Sequence, residues 1–115
     1  MNTVTLGVAS RDVISKRFVA AMRGEQQGQF ITFETPESLF KTLTALRWDI
    51  LKTMTGAGPL SIREVARRVD RDVKRVHDDV SALLEVGVLE RTAAGAIVFP
   101  YDAVHVDFTL QAKAA

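Results

Sequence analysis

Between Leu60 and Val88 the apolar positions recur at helical spacing in two short runs. Ile62, Val65, Ala66 and Val69 make one stripe; Val73, Val76, Val80, Leu83 and Leu84 make another. Ser61 stands where the first helix should start, with Glu64 three residues on, the spacing of a capping box. The chain turns at Val69-Asp70, where Asp70 is placed to cap the second helix. Gly87 ends that helix, because glycine tolerates the left-handed backbone of a C-terminus. Upstream, Thr35-Pro36-Glu37 opens a long helix that buries Leu39, Leu43, Leu46, Ile50 and Met54. Its proline sits in the first turn, where a missing N–H does no harm. Trp48 lies outside that stripe, and Phe40 and Leu51 widen the stripe toward it. This helix therefore has a second surface to cover, either by the N-terminal helix of the same chain or by a second copy.

Strand patterning flanks the helices. Val88–Thr92 and Ala96–Phe99 predict a hairpin around Ala93-Ala94-Gly95, with Pro100 ending the second strand and Arg91 as its one base. Thr3–Val8 is β-prone, and Gln29–Glu34 predicts another strand. Val104, Val106, Phe108 and Leu110 alternate with His105, Asp107 and Thr109, a strand with one buried face. Its partner should be Thr3–Val8 or Gln29–Glu34, in the same chain or another, since an apolar edge left open invites aggregation. Ser10 caps a helix running to about Met22, with Asp12 in the first turn. Val13, Ile14, Phe18, Ala21 and Met22 line one side of it; Arg11, Lys16, Arg17 and Arg23 line the other. Gly24 and Gly28 bracket a polar loop, and Gln111 to Ala115 should fray.

Two helices joined by a tight turn and followed by a hairpin describe a winged helix-turn-helix, whose second helix enters the DNA major groove. Away from that helix's apolar stripe project Arg71, Lys74, Arg75 and Asp78. An arginine can donate two hydrogen bonds to guanine O6 and N7, a lysine suits phosphate, and Asp78 could accept from a cytosine amino group. The candidate DNA contacts are Ser61, Arg63, Arg71, Asp72, Lys74, Arg75, Asp78 and, on the hairpin, Arg91. The competing reading is a solvated face in which Lys74 pairs with Asp78 and Arg75 with Asp79, worth only about 0.2–0.5 kcal/mol a pair. From Ser61 to His77 there are six Arg or Lys against three acids. That local excess says more than the net charge of +1, which by itself is weak support for a nucleic-acid partner.

The run REVARRVDRDVKRVHDDVSALL and the tail GAIVFPYDAVHVDF carry a resemblance. The segment around them resembles the winged-helix domains of the MarR and ArsR groups of bacterial regulators. More narrowly, it is similar to a family of small predicted transcriptional regulators, members of which are described as antitoxins of TumE-type toxins. The resemblance covers roughly Phe33 to Leu110. It implies sequence-specific DNA binding and repression of the protein's own operon, and more weakly a toxin partner.

The expectation is therefore an α+β chain. Residues 1–34 form an N-terminal β-α-β extension for dimerisation or partner contact. Residues 35–100 form the winged helix-turn-helix, and 101–115 a C-terminal strand and tail. The partners expected are double-stranded DNA, a second copy of the chain, and in an antitoxin a toxin protein. Phe18, Met22, Trp48, Val106 and Phe108 are the candidate dimer or partner contacts. The alternative is a protein-interaction module that uses the same scaffold without reading DNA. No cofactor is expected, and no metal: there is no cysteine and no paired-histidine spacing. His77 lies beside the stripe and reads as a half-buried structural residue, with phosphate contact as its functional alternative. No nucleophile elbow or glycine-rich phosphate loop accompanies it, so an enzyme is not expected and no catalytic residue is assigned. No apolar run is long enough to span a bilayer and no signal peptide is recognisable, which together point to the cytoplasm.

Overall fold

The computed structural model describes residues 2–24, 29–110 and 112, apart from the side chains of Arg17 and Ala21. Gly28, most of the tail expected to fray, and the Arg17 and Ala21 side chains of the first helix lie outside the described residues. In chain order the elements are β1 (Thr3–Val8), α1 (Arg11–Met22), β2 (Gln29–Phe33), α2 (Pro36–Thr42), α3 (Ala45–Met54), α4 (Ile62–Val69), α5 (Val73–Glu85), β3 (Glu90–Arg91), β4 (Ile97–Val98) and β5 (Ala103–Asp107). Five helices and two sheets among the described residues make this an α+β protein.

The larger sheet has the order β2-β1-β5, and both pairings are parallel. A parallel neighbour requires a crossover connection. α1 supplies it between β1 and β2, whereas the whole helical unit intervenes before β5. The C-terminal strand thus pairs within the chain, with Val4 opposite Val104 and Leu6 opposite Val106. Val4 and Leu6 are fully buried and join Ile50, Leu51, Met54, Val76, Val80 and Leu83 in one core. Gly7 faces β5 so closely that an added Cβ would lie 3.1 Å from the Asp107 carbonyl oxygen.

The strand expected over 104–110 is shorter and less covered than its alternation suggests. Val104 packs against the core, but Val106 and Phe108 remain 41% and 37% exposed. The core reaches only the start of this edge strand. Phe108 instead meets Phe40 of α2 edge-on, with ring centroids 5.5 Å apart.

The single long helix expected from Pro36 onward is two helices. Leu43 leaves helical geometry, and the Thr44 hydroxyl accepts a hydrogen bond from Arg47 N at 3.3 Å, capping α3. Arg47 Nη1 donates to the Thr42 carbonyl at 3.1 Å, satisfying the end of α2. The break resets the helical phase. Leu46, expected inside, is 51% exposed. Trp48 packs against the core and shares a shallow cleft with Val104 of β5. On α1 the Ser10 hydroxyl accepts from Val13 N at 3.4 Å, as the cap requires. The apolar side of α1 is not buried: Val13, Phe18 and Met22 are 40%, 66% and 74% exposed.

α3, α4 and α5 pack together, and the chain segments on either side of α4 and α5 close the unit. Leu60 and Ile97 exchange backbone hydrogen bonds of 2.8 and 2.7 Å, forming a bridge beside the β3–β4 hairpin. The paired strands are shorter than the expected 88–92 and 96–99, because Val88, Leu89 and Phe99 turn into the core instead of extending the ladder. Gly95 takes φ +86° at the hairpin turn, as its position requires.

Candidate nucleic-acid interface

The turn between α4 and α5 decides which side chains the second helix presents. Asp70 does not cap α5. It closes α4 in the left-handed conformation, φ 55° and ψ 53°, with its N–H directed at the Ala66 and Arg67 carbonyls. Asp72 is the cap of α5: its Oδ2 accepts from Arg75 N at 3.2 Å. The helix thus opens two residues later than a cap at Asp70 would place it. Arg71 falls in the turn, not on the helix, and its own N–H is held by the Ala66 carbonyl at 3.1 Å.

That shift turns the Arg71 side chain inward. Its Nη2 lies 2.8 Å from Asp79 Oδ2, while Arg47 Nε lies 3.0 Å from Asp79 Oδ1. The three side chains are only 17–24% exposed. Burial pushes the Asp79 carboxyl up, but the hydrogen bonds and charges of Arg71 and Arg47 outweigh it and leave its pKa below the ordinary value. Arg71 Nη1 is buried with no hydrogen-bond partner among the described residues. The expectation that Arg71 projects outward is corrected accordingly: a carboxylate from the next two turns of α5 captures it.

Lys74, Arg75 and Asp78 are exposed. At about 100° per residue, Lys74 and Asp78 lie opposite the buried Val76, Val80 and Leu83, with Arg75 on the flank. Neither Lys74 nor Arg75 has an ion pair among the described residues, and the solvated-face pairing of Arg75 with Asp79 is pre-empted by Arg47 and Arg71. His77 is also exposed, its Nδ1 3.8 Å from Asp78 Oδ1, so the half-buried histidine expected at the stripe's shoulder is corrected. Val73 at the first helical position is 43% exposed and contributes little to the stripe.

On α4 the Ser61 hydroxyl accepts from Glu64 N at 3.1 Å. The Glu64 carboxylate turns to Arg67, at 2.6 and 2.8 Å, and to Arg68, at 3.0 Å. Hydrogen bonds from Arg67 and then Arg68 lower its pKa to about 2. Those two arginines are thereby engaged, while Arg63 is exposed without an ion pair among the described residues. Arg91 on β3 is exposed, with one long bond of 3.4 Å from Nη1 to the Gly95 carbonyl. Of the eight expected contacts, Arg63, Lys74, Arg75 and Arg91 are accessible cations on consecutive elements. Asp78 accompanies them, Ser61 and Asp72 are occupied as caps, and Arg71 is withdrawn.

The candidate dimer contacts differ in their exposure. Phe18 and Met22 lie on α1, Val106 and Phe108 at the end of β5, and Trp48 against the core. Arg47 and Asp79 escaped the sequence reading as a pair. A signal existed for each. Arg47 is a cation in the first turn of a helix, where the macrodipole disfavours it. Asp79 sits beside the buried stripe of α5, where a carboxylate needs a partner.

Among the described residues no group of three or more His, Cys, Asp or Glu is placed to hold a metal ion, and no helix is long and apolar enough to cross a membrane. The family model HVO_A0114 matches residues 42–106, from the end of α2 through most of β5. The match spans more than half of the chain, and this α+β protein belongs to the HVO_A0114 family. No curated protein and no solved structure matches it.

Proposed function

We propose that the chain is a sequence-specific DNA-binding transcriptional regulator of the winged helix-turn-helix kind. In this reading α4 and α5 are the helix-turn-helix, β3–β4 is the wing, and α5 enters the major groove. The observation that carries it is that Lys74 and Arg75, in the first turn of α5, are exposed and have no ion pair among the described residues. Two cations left without carboxylate partners beside an acid-bearing helix are available to phosphates and base edges. Arg63 and Arg91 extend the same positive character to the flanking elements. Repression of the protein's own operon, action as a homodimer on two half-sites, and a cytoplasmic setting belong to the same proposal, as does kinship with the MarR- and ArsR-like regulators and the TumE antitoxins.

A second reading has its own observation. Phe18, Val19 and Met22 leave α1 with an exposed apolar side. That favours a protein partner, a toxin among them, gripped by the N-terminal extension. An antitoxin would combine both roles. Fluorescence anisotropy with a labelled duplex from the protein's own promoter tests the first reading. Binding should be tighter than to a scrambled duplex and should weaken steeply with salt. Equal affinity for both duplexes, or none for either, removes the regulator reading and leaves the protein-interaction module.

A further inference from the structure

α5 meets the rest of the helical unit through an apolar stripe, and such a stripe limits a helix's rotation poorly. Polar contacts with fixed geometry are what would set its pose. Among the described residues, the polar node that ties α5 to other elements is Asp79. One of its oxygens takes Arg47 Nε at 3.0 Å; the other takes Arg71 Nη2 at 2.8 Å. Arg47 reaches on to the Thr42 carbonyl at 3.1 Å. The node therefore joins the end of α2, the first turn of α3, the α4–α5 turn and the second turn of α5.

We infer that Arg71, Asp79 and Arg47 are positioning residues: they set the angle and depth at which α5 presents Lys74 and Arg75, without themselves touching the nucleic acid. The inference rests on the DNA-binding reading for its functional consequence and on the node alone for its structural one. Arg71 comes from the segment that immediately precedes the reading helix, and it is one of the residues that the sequence offers for DNA contact. Its side chain is 18% exposed, and Nη1 is buried without a partner among the described residues. A guanidinium placed to grip phosphate would keep its donors open to solvent. This one is turned inward onto a carboxylate. Asp79 faces two guanidinium groups, so neutralising it leaves two largely buried cations unbalanced.

The test compares Arg71→Gln, Arg71→Lys and Asp79→Asn with Arg75→Gln, all in the full chain. Thermal melts first establish that each variant folds. The double variant R71Q/D79N removes one charge of each sign and stands in if a single one does not fold. Anisotropy across a salt series then separates the roles. A residue that neutralises one phosphate contributes about 0.9 to the slope of log affinity against log salt. Arg75→Gln should lower the slope by about that amount. Arg71→Gln and Asp79→Asn should weaken binding ten-fold or more at every salt concentration with an unchanged slope, and Arg71→Lys should recover part of the loss. Amide hydrogen exchange from Val76 to Val80 should accelerate at least ten-fold in Asp79→Asn. A slope reduced by about 0.9 in Arg71→Gln, or affinity unchanged in Asp79→Asn, overturns the inference. Should the wild type bind no duplex, the regulator reading fails separately, and the exchange measurement alone decides: unchanged exchange overturns the node's role, and accelerated exchange retains it.

Discussion

Removing Lys74 and Arg75 together, as Lys74→Ala/Arg75→Ala, probes the interface where it is most exposed. Both side chains are exposed and without ion pairs among the described residues, so the fold should lose little, within about 0.5 kcal/mol. If each neutralises one phosphate, the pair contributes about 1.8 to the salt slope. A four-fold rise in salt, from about 50 to 200 mM, then weakens wild-type binding by about 12-fold more than it weakens the double variant. A base contact by Arg75 would add roughly 1–3 kcal/mol of discrimination at one position of the site, and its loss would relax preference there. The assay is anisotropy of a labelled promoter duplex at four or five salt concentrations, with thermal melts as the control for folding. A double variant that melts like the wild type and keeps both the wild-type slope and the wild-type preference would refute the assignment of α5 as the reading helix. The cations on its outer face would then be ordinary solvated charges.

Three further outcomes follow from the local geometry. Asp70→Gly should stabilise the fold by about 0.5 kcal/mol, because a non-glycine residue at φ 55° is replaced by one that adopts it freely and a negative charge leaves the C-terminal end of α4. A melting temperature raised by roughly 2–3 °C is expected, and an unchanged or lowered one refutes the strain argument. Thr44→Ala should cost about 1 kcal/mol through loss of the α3 cap, read by urea titration, with Thr44→Ser recovering most of it. Glu64, with its pKa lowered to about 2 from an ordinary 4.5, contributes stability that is complete above pH 4.5 and is lost as pH falls toward 2. Melts of Glu64→Gln should therefore converge on those of the wild type as pH is lowered through that window, and a constant gap would show that the Arg67 and Arg68 bonds do not matter in solution.

Much of the candidate site was legible in residue order, and what was not has a common cause. Ser61 as the cap of α4 follows from a hydroxyl three residues before a glutamate, an interaction confined to one turn. Lys74 and Arg75 as exposed cations follow from their angular distance from Val76, Val80 and Leu83. Arg71 could not be placed in that way, because its fate depends on whether Asp70 or Asp72 caps α5. Both aspartates have the right chemistry. Choosing between them requires knowing that α4 ends with Asp70 in the left-handed region and that Asp79 waits for Arg71 eight residues later. His77 was misplaced for a related reason: one step around the wheel from the stripe is enough to leave a ring in solvent when no neighbouring element overhangs it.

By itself the order of residues determined the local elements. β1 spans the β-prone Thr3–Val8, α1 runs from its Ser10 cap to Met22, and the hairpin turns at Gly95, because each is dictated by contacts within a few residues. Only the tertiary structure decided that the chain breaks at Leu43, that β5 lies parallel to β1 in the same molecule, and that Arg47 and Arg71 converge on Asp79. The last two outcomes join groups from different elements, and the break at Leu43 is sealed where Arg47, held by Asp79, donates to the Thr42 carbonyl. Strand pairing and buried ion pairing are choices among several chemically equivalent partners, and the partner is selected by which one the packed core brings within reach.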